Sequence, residues 1–286
     1  MVGLGRMGTA MARRFHDAGH EMVLWNRDRS KAESLADDIG AGVASSPATA
    51  AKESDIVVTS LADDTALADV YLGADGIVSG IRADAVAIDT STVDPDTVRR
   101  VGDALAAVGA RFCDCPVSGS VSTVEAGALT IMAGGDPEVV AAAEPVLAAI
   151  AQKVVRVGDL GSGAACKLAV NGLLHSFNVA LSEALVLAEK AGVDRESAYE
   201  VFASGAAGAP YVHYKREAFE HPEAAPVAFT LDLAAKDLEL AQRLGVRVGA
   251  TLEQTSTTAA IVGGAIASGM GGRDLSAIAV YLREET

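Results

Sequence analysis

Lys167 occupies a position that suits proton transfer better than a purely structural role. It follows the glycine-rich segment 158–163 within a long, alanine-rich apolar run, and Asn171 comes four residues later. We expect a helix capped by Ser162 or Gly163, with Lys167 about one turn inside it and Asn171 on the same face. The positive end of the helix dipole disfavours a cation there, and a lowered lysine pKa suits a general acid or base. The alternative is an ordinary exposed lysine at a solvated helix start.

A second feature is a Gly-x-Gly-x-x-Gly motif at residues 3–8, followed by a helical pattern and by a strand pattern at residues 21–25. In this strand, turn, helix and strand order, such glycines let a pyrophosphate approach a helix N-terminus. Only two residues precede the motif, so we expect a short first strand and a truncated or misassigned start. The predicted cofactor contacts in this turn are Gly3, Gly5, Arg6, Met7 and Gly8.

The end of the second strand distinguishes NADP from NAD. An NAD site carries an acidic residue there to bind the ribose hydroxyls, whereas this chain has Asn26 followed by Arg27. Asn26 removes a carboxylate that would repel a phosphate, and Arg27, with Arg29 or Lys31 nearby, can pair with one. We therefore expect NADP(H) to be preferred and NAD(H) to be possible. Asp28 leaves open the alternative of a solvated basic turn.

Three further segments follow predicted strands and are rich in small hydroxyl or acidic residues: 60–64, 89–92 and 114–120. Loops after parallel strands open at the sheet edge where doubly wound folds bind ligands. We expect the first two, which carry Leu61 and Thr92, to pass along the cofactor. In the third, Ser118 and the backbone N–H groups by Gly119 are suited to a carboxylate. Taken singly, each loop is explained by ordinary turn chemistry.

The strand and helix patterns predict an α/β domain followed by an all-α domain. Strands are expected at 55–60, 86–89, 111–114, 129–133 and 154–157, and helices at 30–39, 65–71, 95–108 and 137–150. This alternation indicates a mainly parallel sheet covered on both faces. A continuous helix is expected from 162 to about 191, with further helices at 195–203, 233–244 and 252–268. We expect the long helix to join a dinucleotide-binding domain (1–160) to a helical domain (161–286), with a cleft at the joint.

Composition argues against several other classes of protein. The net charge is −15 and no Lys/Arg cluster is present, which argues against a nucleic acid partner. The histidines and cysteines lack metal-ligand spacing, and Cys113 and Cys115 are expected to be core thiols in a reducing compartment. His175 either lines the same cleft as Lys167 or packs between helices. No apolar run of 18 residues and no signal peptide are found, so we expect a cytoplasmic protein without a membrane span.

The chain resembles the β-hydroxyacid dehydrogenase family over essentially its whole length. Four motifs occur in the family's order: Gly3-x-Gly5-x-x-Gly8, Asp114-x-Pro116-Val117-Ser118-Gly119, Gly158-x-x-Gly161-x-Gly163-x-x-x-Lys167-x-x-x-Asn171 and Lys236-Asp237-Leu238. The family contains 3-hydroxyisobutyrate dehydrogenases, tartronate semialdehyde reductases and glyoxylate/succinic semialdehyde reductases. The resemblance implies a Rossmann domain, a long inter-domain helix and a helical domain for substrate binding and dimerisation, in a homodimer or homotetramer.

The resemblance also implies roles for individual residues. Lys167 matches the family's catalytic lysine and Asn171 its accompanying asparagine. The other matched positions are Thr92 and Lys236 near the nicotinamide, and Ser118, Gly119, Ser120 and Asp237 at the substrate. Ser120 replaces the second glycine that is usual in the family, and residues 121–124 replace a small Gly/Ala-rich turn, so the substrate pocket is expected to differ.

Together these features predict an NADP(H)-dependent oxidoreductase that interconverts a small 3-hydroxy or 2-hydroxy acid and its semialdehyde or oxo acid. Lys167 would act as the general acid and base. One alternative is an imine reductase of similar fold, although such enzymes generally lack a lysine at this position. The other is a protein that binds NADP without catalysis.

Overall fold

The computed structural model describes residues 1–284. The chain forms two compact units, one containing residues up to Lys167 and one beginning at Leu168. The division falls inside one long helix, which runs over Ser162–Lys190. The expected α/β domain followed by an all-α domain, connected through a long helix, is therefore confirmed.

The strands of the N-terminal unit form two hydrogen-bonded sheets. They are β1 (Val23–Leu24), β2 (Gly42–Val43), β3 (Ile56–Thr59), β4 (Val86–Asp89), β5 (Arg111–Asp114), β6 (Val117–Ser118), β7 (Leu129–Gly134) and β8 (Ala151–Gly158). β1 pairs with β2, and the larger sheet has the order β3-β4-β5-β7-β6, with β8 on β7. Val2 makes parallel bridges to Trp25 and to Thr59, so this single residue takes the place of a first strand between the two sheets.

Most neighbouring strands are parallel, as expected, but β7 is an exception. It runs antiparallel to β5 and to β6, and parallel to β8. A parallel return requires a crossover of about a dozen residues or more, usually through a helix that packs on the sheet. The connection from β5 to β7 is long enough for a crossover, but in the described chain it contains β6, which pairs antiparallel with β7, and a helix of only five residues, α7 (Val121–Glu125). The chain therefore returns in the opposite direction, which the periodicity of the sequence did not reveal.

Helices cover both faces of the sheet. They are α1 (Arg6–Asp17), α2 (Arg29–Ile39), α3 (Pro47–Lys52), α4 (Asp64–Leu72), α5 (Ile77–Gly80), α6 (Pro95–Ala107), α7 and α8 (Pro137–Leu147). Successive strand residues point to opposite faces: Ile88 packs in a cluster with α1, α2 and α8, whereas its neighbour Ala87 packs in a cluster with α3, α4 and α6. This two-sided burial is the doubly wound arrangement predicted from the sequence.

The C-terminal unit is helical. Apart from the long helix, α9 (Ser162–Lys190), it contains α10 (Arg195–Ser204), α11 (Pro210–Glu220), α12 (Leu231–Val248), α13 (Glu253–Ala265) and α14 (Ile278–Glu284). Val179 of α9 is buried together with Leu238 of α12, Val262 of α13 and Ile278 of α14. α11 was not predicted, since no helix was expected between residues 203 and 233; Pro210 begins it as a favoured first-turn residue.

By length and composition alone, α9 is apolar enough to cross a membrane, although no such stretch was expected. Buried core helices pass the same test, and half of the 18-residue window concerned is buried. Asn178 of α9 donates a hydrogen bond to the Leu275 carbonyl and accepts one from the Tyr211 hydroxyl. These polar contacts are those of a helix packed inside the C-terminal unit.

Candidate active site

The glycine turn between Val2 and α1 is closely packed on one side and open on the other. Gly3 has a φ of +88°, and a Cβ there would lie 2.3 Å from the Ser60 carbonyl oxygen. A Cβ on Gly8 would lie 2.0 Å from the Gly3 oxygen, whereas no atom lies within 4 Å of a Cβ on Gly5. No side chain caps the start of α1, and its first turn contains no acidic residue. This leaves backbone N–H groups and open space where a phosphate is favoured.

The remaining predicted residues of the turn differ in exposure. Arg6 is exposed, whereas Met7 is partly buried and packs against the core. Asn26 connects the turn to the end of β1, because its Oδ1 accepts a hydrogen bond of 2.9 Å from the Leu4 N–H. Its Nδ2 donates to the Asp28 carbonyl over 3.0 Å. The structure therefore brings Asn26 together with the glycine turn.

The basic residues after Asn26 are not equivalent. Arg29 pairs with Glu33 over 2.7 Å, whereas Arg27 is exposed and forms no ion pair within residues 1–284. The Asp28 carboxylate accepts hydrogen bonds from the N–H and the hydroxyl of Ser30, so it caps α2. Asp28 therefore has a structural role that is independent of a ribose.

The loops after β3 and β4 are joined by a buried carboxylate. The Leu61 N–H donates to Ser91 Oγ over 2.8 Å, and Ser91 Oγ donates to Asp89 Oδ1 over 2.6 Å. Thr59 Oγ1 donates to the same oxygen over 2.6 Å. Burial raises the pKa of Asp89 to about 6, although these hydrogen bonds act in the opposite direction. Asp89 thereby holds Leu61 close to the loop that carries Thr92.

Ser118 and its neighbours form a compact turn. Ser118 is partly buried on β6 and pairs in register with Thr130 of β7. Gly119 is exposed and has a φ of +141°, a conformation that favours glycine. The Ser120 N–H donates to Thr123 Oγ1 over 3.1 Å, and the two hydroxyl oxygens are also 3.1 Å apart. The unusual serine thus begins α7 through a capping box, which ties its hydroxyl to that helix.

Asp114, the last residue of β5, holds the start of α9. Its Oδ1 accepts a hydrogen bond of 2.8 Å from the Gly161 N–H, and its Oδ2 accepts one of 2.7 Å from the Ala164 N–H. The prediction that Ser162 or Gly163 caps this helix is therefore wrong: Ser162 is its first residue, and the capping carboxylate comes from a distant strand. Burial raises the pKa of Asp114 to about 6, opposed by its backbone hydrogen bonds.

Sequence reasoning missed the role of Asp114, although the residue opens one of the four motifs. A cap supplied from a strand 47 residues away leaves no local pattern of the kind used to find helix starts. Lys167 lies beyond this junction in the early part of α9 and is partly buried. Asn171 follows one turn later on the same helix.

The C-terminal unit contains a buried polar cluster around Asp237. Asn171 Nδ2 donates to Asp237 Oδ2 over 2.5 Å, and Lys236 Nζ lies 3.1 Å from Asp237 Oδ1. His175 Nε2 lies 3.8 Å from Oδ2, and its ring stacks near Phe229 at 5.4 Å between centroids. Burial acts to raise the pKa of Asp237, but His175 and the Lys236 ammonium outweigh it and the pKa is lowered.

The predicted residues therefore fall into separate groups within each unit. In the N-terminal unit the glycine turn is joined to Asn26 and Leu61, while Ser118 to Ser120 form their own turn. In the C-terminal unit Asn171, Lys236 and Asp237 lie together, joined by His175, which sequence reasoning left between two interpretations. Within residues 1–284 no group of three or more His, Cys, Asp and Glu side chains could hold a metal ion.

Comparison with known proteins identifies the family. The profile described as the NAD binding domain of 6-phosphogluconate dehydrogenase matches residues 1–158, and that described as NAD-binding of NADP-dependent 3-hydroxyisobutyrate dehydrogenase matches residues 161–282. Glyoxylate/succinic semialdehyde reductase 1 of Arabidopsis thaliana is 32% identical over 277 residues, 97% of this chain and 95% of that protein. The chain belongs to the β-hydroxyacid dehydrogenase family. It is accordingly an NAD(P)-dependent oxidoreductase of the hydroxyacid dehydrogenase type.

Solved structures of this β-hydroxyacid dehydrogenase fold agree with the assignment. The 3-hydroxyisobutyrate dehydrogenase of Mycobacterium tuberculosis, solved with L-serine, is 30% identical with a TM-score of 0.86, covering 99% of this chain and 97% of that one. Psf3 in complex with NADP+ and 2-OPP is 26% identical with a TM-score of 0.88, covering 98% of both chains. The predicted family, fold and nicotinamide cofactor are therefore confirmed.

Proposed function

We propose that this β-hydroxyacid dehydrogenase uses NADP(H) to interconvert a small 3-hydroxy or 2-hydroxy acid and its semialdehyde or oxo acid, with Lys167 as general acid and base. The observation that carries the proposal is the placement of Lys167 early in a helix whose start is held by a buried carboxylate, with Asn171 one turn later. The four-residue spacing of Lys167 and Asn171 also matches that of the family's catalytic lysine and its accompanying asparagine.

The steps assigned to the chain are proton transfer and orientation. In the reductive direction, Lys167 Nζ donates a proton to the carbonyl oxygen as charge develops there, and in the oxidative direction it accepts the hydroxyl proton. Asn171 orients Lys167 or the substrate oxygen by hydrogen bonding. Ser118 Oγ and the Gly119 N–H bind the substrate carboxylate, which aligns the reacting carbon. The nicotinamide cofactor, when bound, supplies or accepts the hydride.

The preference for NADP(H) rests on Arg27. It is the exposed cation next to Asn26 without an ion-pair partner in the described chain, whereas Arg29 is already paired and Asp28 caps a helix. A guanidinium can bind a phosphate through two parallel hydrogen bonds, which an unpaired side chain can form without first breaking a salt bridge. The fit of the diphosphate rests on the open side of Gly5 and the uncapped start of α1.

The two proposed binding functions belong to different parts of the sequence. We assign the dinucleotide to residues 1–160 and substrate binding and dimerisation to residues 161–286. On α9, Leu173 is 75% exposed and Leu187 is 71% exposed, and an association surface on this helix would remove both side chains from water. A homodimer or homotetramer of a cytoplasmic enzyme would cover them.

The experiment that tests this function is a substrate panel read at the nicotinamide absorbance with NADPH and NADH. The panel contains glyoxylate, succinic semialdehyde, methylmalonate semialdehyde, tartronate semialdehyde and a cyclic imine. Turnover of acid-bearing carbonyl compounds with NADPH supports the proposal and narrows the substrate class. Turnover of the imine alone would favour an imine reductase, and NADPH binding without any turnover would favour a non-catalytic protein.

A further inference from the structure

We propose that Asp114 is a positioning residue that aligns Lys167 with the carboxylate-binding turn at Ser118 and Gly119. This inference rests on the proposed function, because it concerns the placement of the groups that would perform it. Asp114 does not need to touch the substrate or the cofactor. It acts through the start of α9, whose first turns carry Lys167.

Asp114 is connected to both segments that it would align. Asp114 ends β5, and the backbone leads from it directly through Pro116 into β6, which contains Ser118. The side chain of the same residue binds α9 through both oxygens, to the N–H groups of Gly161 and Ala164. One residue thus fixes the start of the substrate turn by its main chain and the start of the lysine helix by its side chain.

The backbone segments around Asp114 approach one another closely. A Cβ on Gly134 of β7 would lie 2.4 Å from Asp114 Oδ1, and one on Gly163 of α9 would lie 2.5 Å from the Met132 carbonyl oxygen. Gly161 has a φ of +88°, which favours glycine at the point where its N–H meets the carboxylate. These glycines leave the room that lets the helix start reach Asp114, so the contact is built by several parts of the chain.

Loss of the contact between Asp114 and α9 would be unfavourable. Asp114 is 1% exposed, and the N–H groups of Gly161 and Ala164 that it accepts from are buried with it. Buried N–H groups without an acceptor are unfavourable, so the first turn of α9 would move to regain partners. Lys167 follows Ala164 by three residues, and a displacement of about 1 Å in a reacting group lowers a rate about 100-fold.

Asp114→Asn is the central variant, because asparagine has the same shape but presents only one acceptor oxygen. Asp136→Asn is the matched control: Asp136 is an exposed carboxylate that caps α8 in the same unit by accepting from the Glu138 N–H. We expect Asp114→Asn to lower kcat about 10- to 100-fold with little change in the NADPH Kd, and Asp136→Asn to retain the wild-type kcat. A wild-type kcat in Asp114→Asn would overturn the proposal.

A second comparison separates positioning of Lys167 from a general structural role. In a Lys167→Ala background, Asp114→Asn should change the residual rate very little, because the group that it positions is already missing. An equal fold-loss of kcat in both backgrounds would overturn the proposal. Should Asp114→Asn not fold, Gly161→Ala strains the same junction, and Gly192→Ala is its control, with a φ of +89° in open space after the same helix. Equal kcat in these two variants would also overturn it.

Amide hydrogen exchange tests the contact between Asp114 and α9 without a measurement of enzyme activity. We expect the N–H groups of Gly161 and Ala164 to exchange faster in Asp114→Asn than in the wild type and in Asp136→Asn, because their acceptor is weakened. Unchanged exchange would overturn the proposal. A wild-type protein that binds NADPH but reduces no compound of the panel would instead contradict the proposed function, so the two failures are distinguishable.

Discussion

Asn171 donates its side-chain N–H to the Asp237 carboxylate over 2.5 Å, and both side chains are only 2% exposed. An ionised carboxylate can only accept hydrogen bonds, so this contact fixes which end of the Asn171 amide faces Asp237. The Asn171 Oδ1 is then the end of the amide directed away from this carboxylate, and under the proposed mechanism it accepts the hydrogen bond that orients Lys167 or the substrate oxygen. The lowered pKa of Asp237 keeps the carboxylate in the form that this orientation requires.

Asp237→Asn tests whether that orientation matters. Asparagine can either donate to or accept from Asn171, so the amide would no longer be held in one orientation. We expect kcat to fall about 10-fold, the effect of losing one charge-assisted hydrogen bond. Glu239→Gln is the control, because Glu239 is exposed two residues later on the same helix. A kcat in Asp237→Asn equal to that of the control would show that the contact only stabilises the C-terminal unit.

Arg27→Ala tests the cofactor preference. Removing a cation that binds a phosphate should raise the NADPH Kd about 10-fold and leave the NADH Kd unchanged, because only NADPH carries the extra phosphate. The control is Arg29→Ala, which removes a neighbouring cation that is paired with Glu33. Fluorescence titration of both cofactors gives the four constants. An equal rise in the Kd of NADPH and of NADH in Arg27→Ala would contradict the prediction, because it would mean that Arg27 contacts a part of the cofactor that both molecules share.

The raised pKa of the buried Asp89 makes the free energy of unfolding depend on pH. Its pKa is about 6 in the folded protein and lies near the ordinary value when unfolded, so the folded form binds more protons between these two pH values. This contribution to the free energy of unfolding is present at about pH 4 and is lost as the pH rises through 6, an effect of about 3 kcal/mol. Urea unfolding of the wild type and Asp89→Asn at pH 4 and 7.5 measures it.

Between pH 4 and pH 7.5 the free energy of unfolding should fall less in Asp89→Asn than in the wild type, because asparagine does not titrate. Asp136→Asn should lose as much as the wild type, since Asp89 is intact in it. An equal loss in Asp89→Asn and in the wild type would mean that Asp89 titrates alike in the folded and unfolded chain. That result would contradict the account of Leu61 and Ser91 as held by a buried, partly desolvated carboxylate.

Local patterns were sufficient to predict most of the fold. The strands at Val86–Asp89 and Arg111–Asp114 were predicted with their observed bounds, because buried apolar runs between turn residues are strong signals. A strand at 129–133 was predicted, but its antiparallel direction and the short α7 were not, since strand direction depends on the connection rather than on the strand itself. The glycine motif predicted a turn before a helix N-terminus, which is a local requirement of the backbone, and the structure has that turn with Gly3 at a φ of +88°.

Long-range contacts explain what the sequence could not reveal about the candidate site. Lys167 was singled out because a helix start disfavours a cation, yet the structure places the Asp114 carboxylate at that start. The negative charge offsets the positive end of the dipole, so the helix start no longer disfavours a cation at Lys167, which remains the proposed acid and base. His175 was equally unpredictable, because its neighbour Asp237 lies on another helix.

The central claim is that Lys167 transfers the proton, and a single-turnover measurement tests it most directly. The rate of NADPH oxidation with the best carbonyl acid of the panel would be compared for the wild type, Lys167→Ala and Lys190→Ala, which changes an exposed lysine at the far end of α9. We predict a fall of about 100- to 10,000-fold in Lys167→Ala with an unchanged NADPH Kd, and a wild-type rate in Lys190→Ala. A Lys167→Ala rate close to that of the wild type would contradict the mechanism.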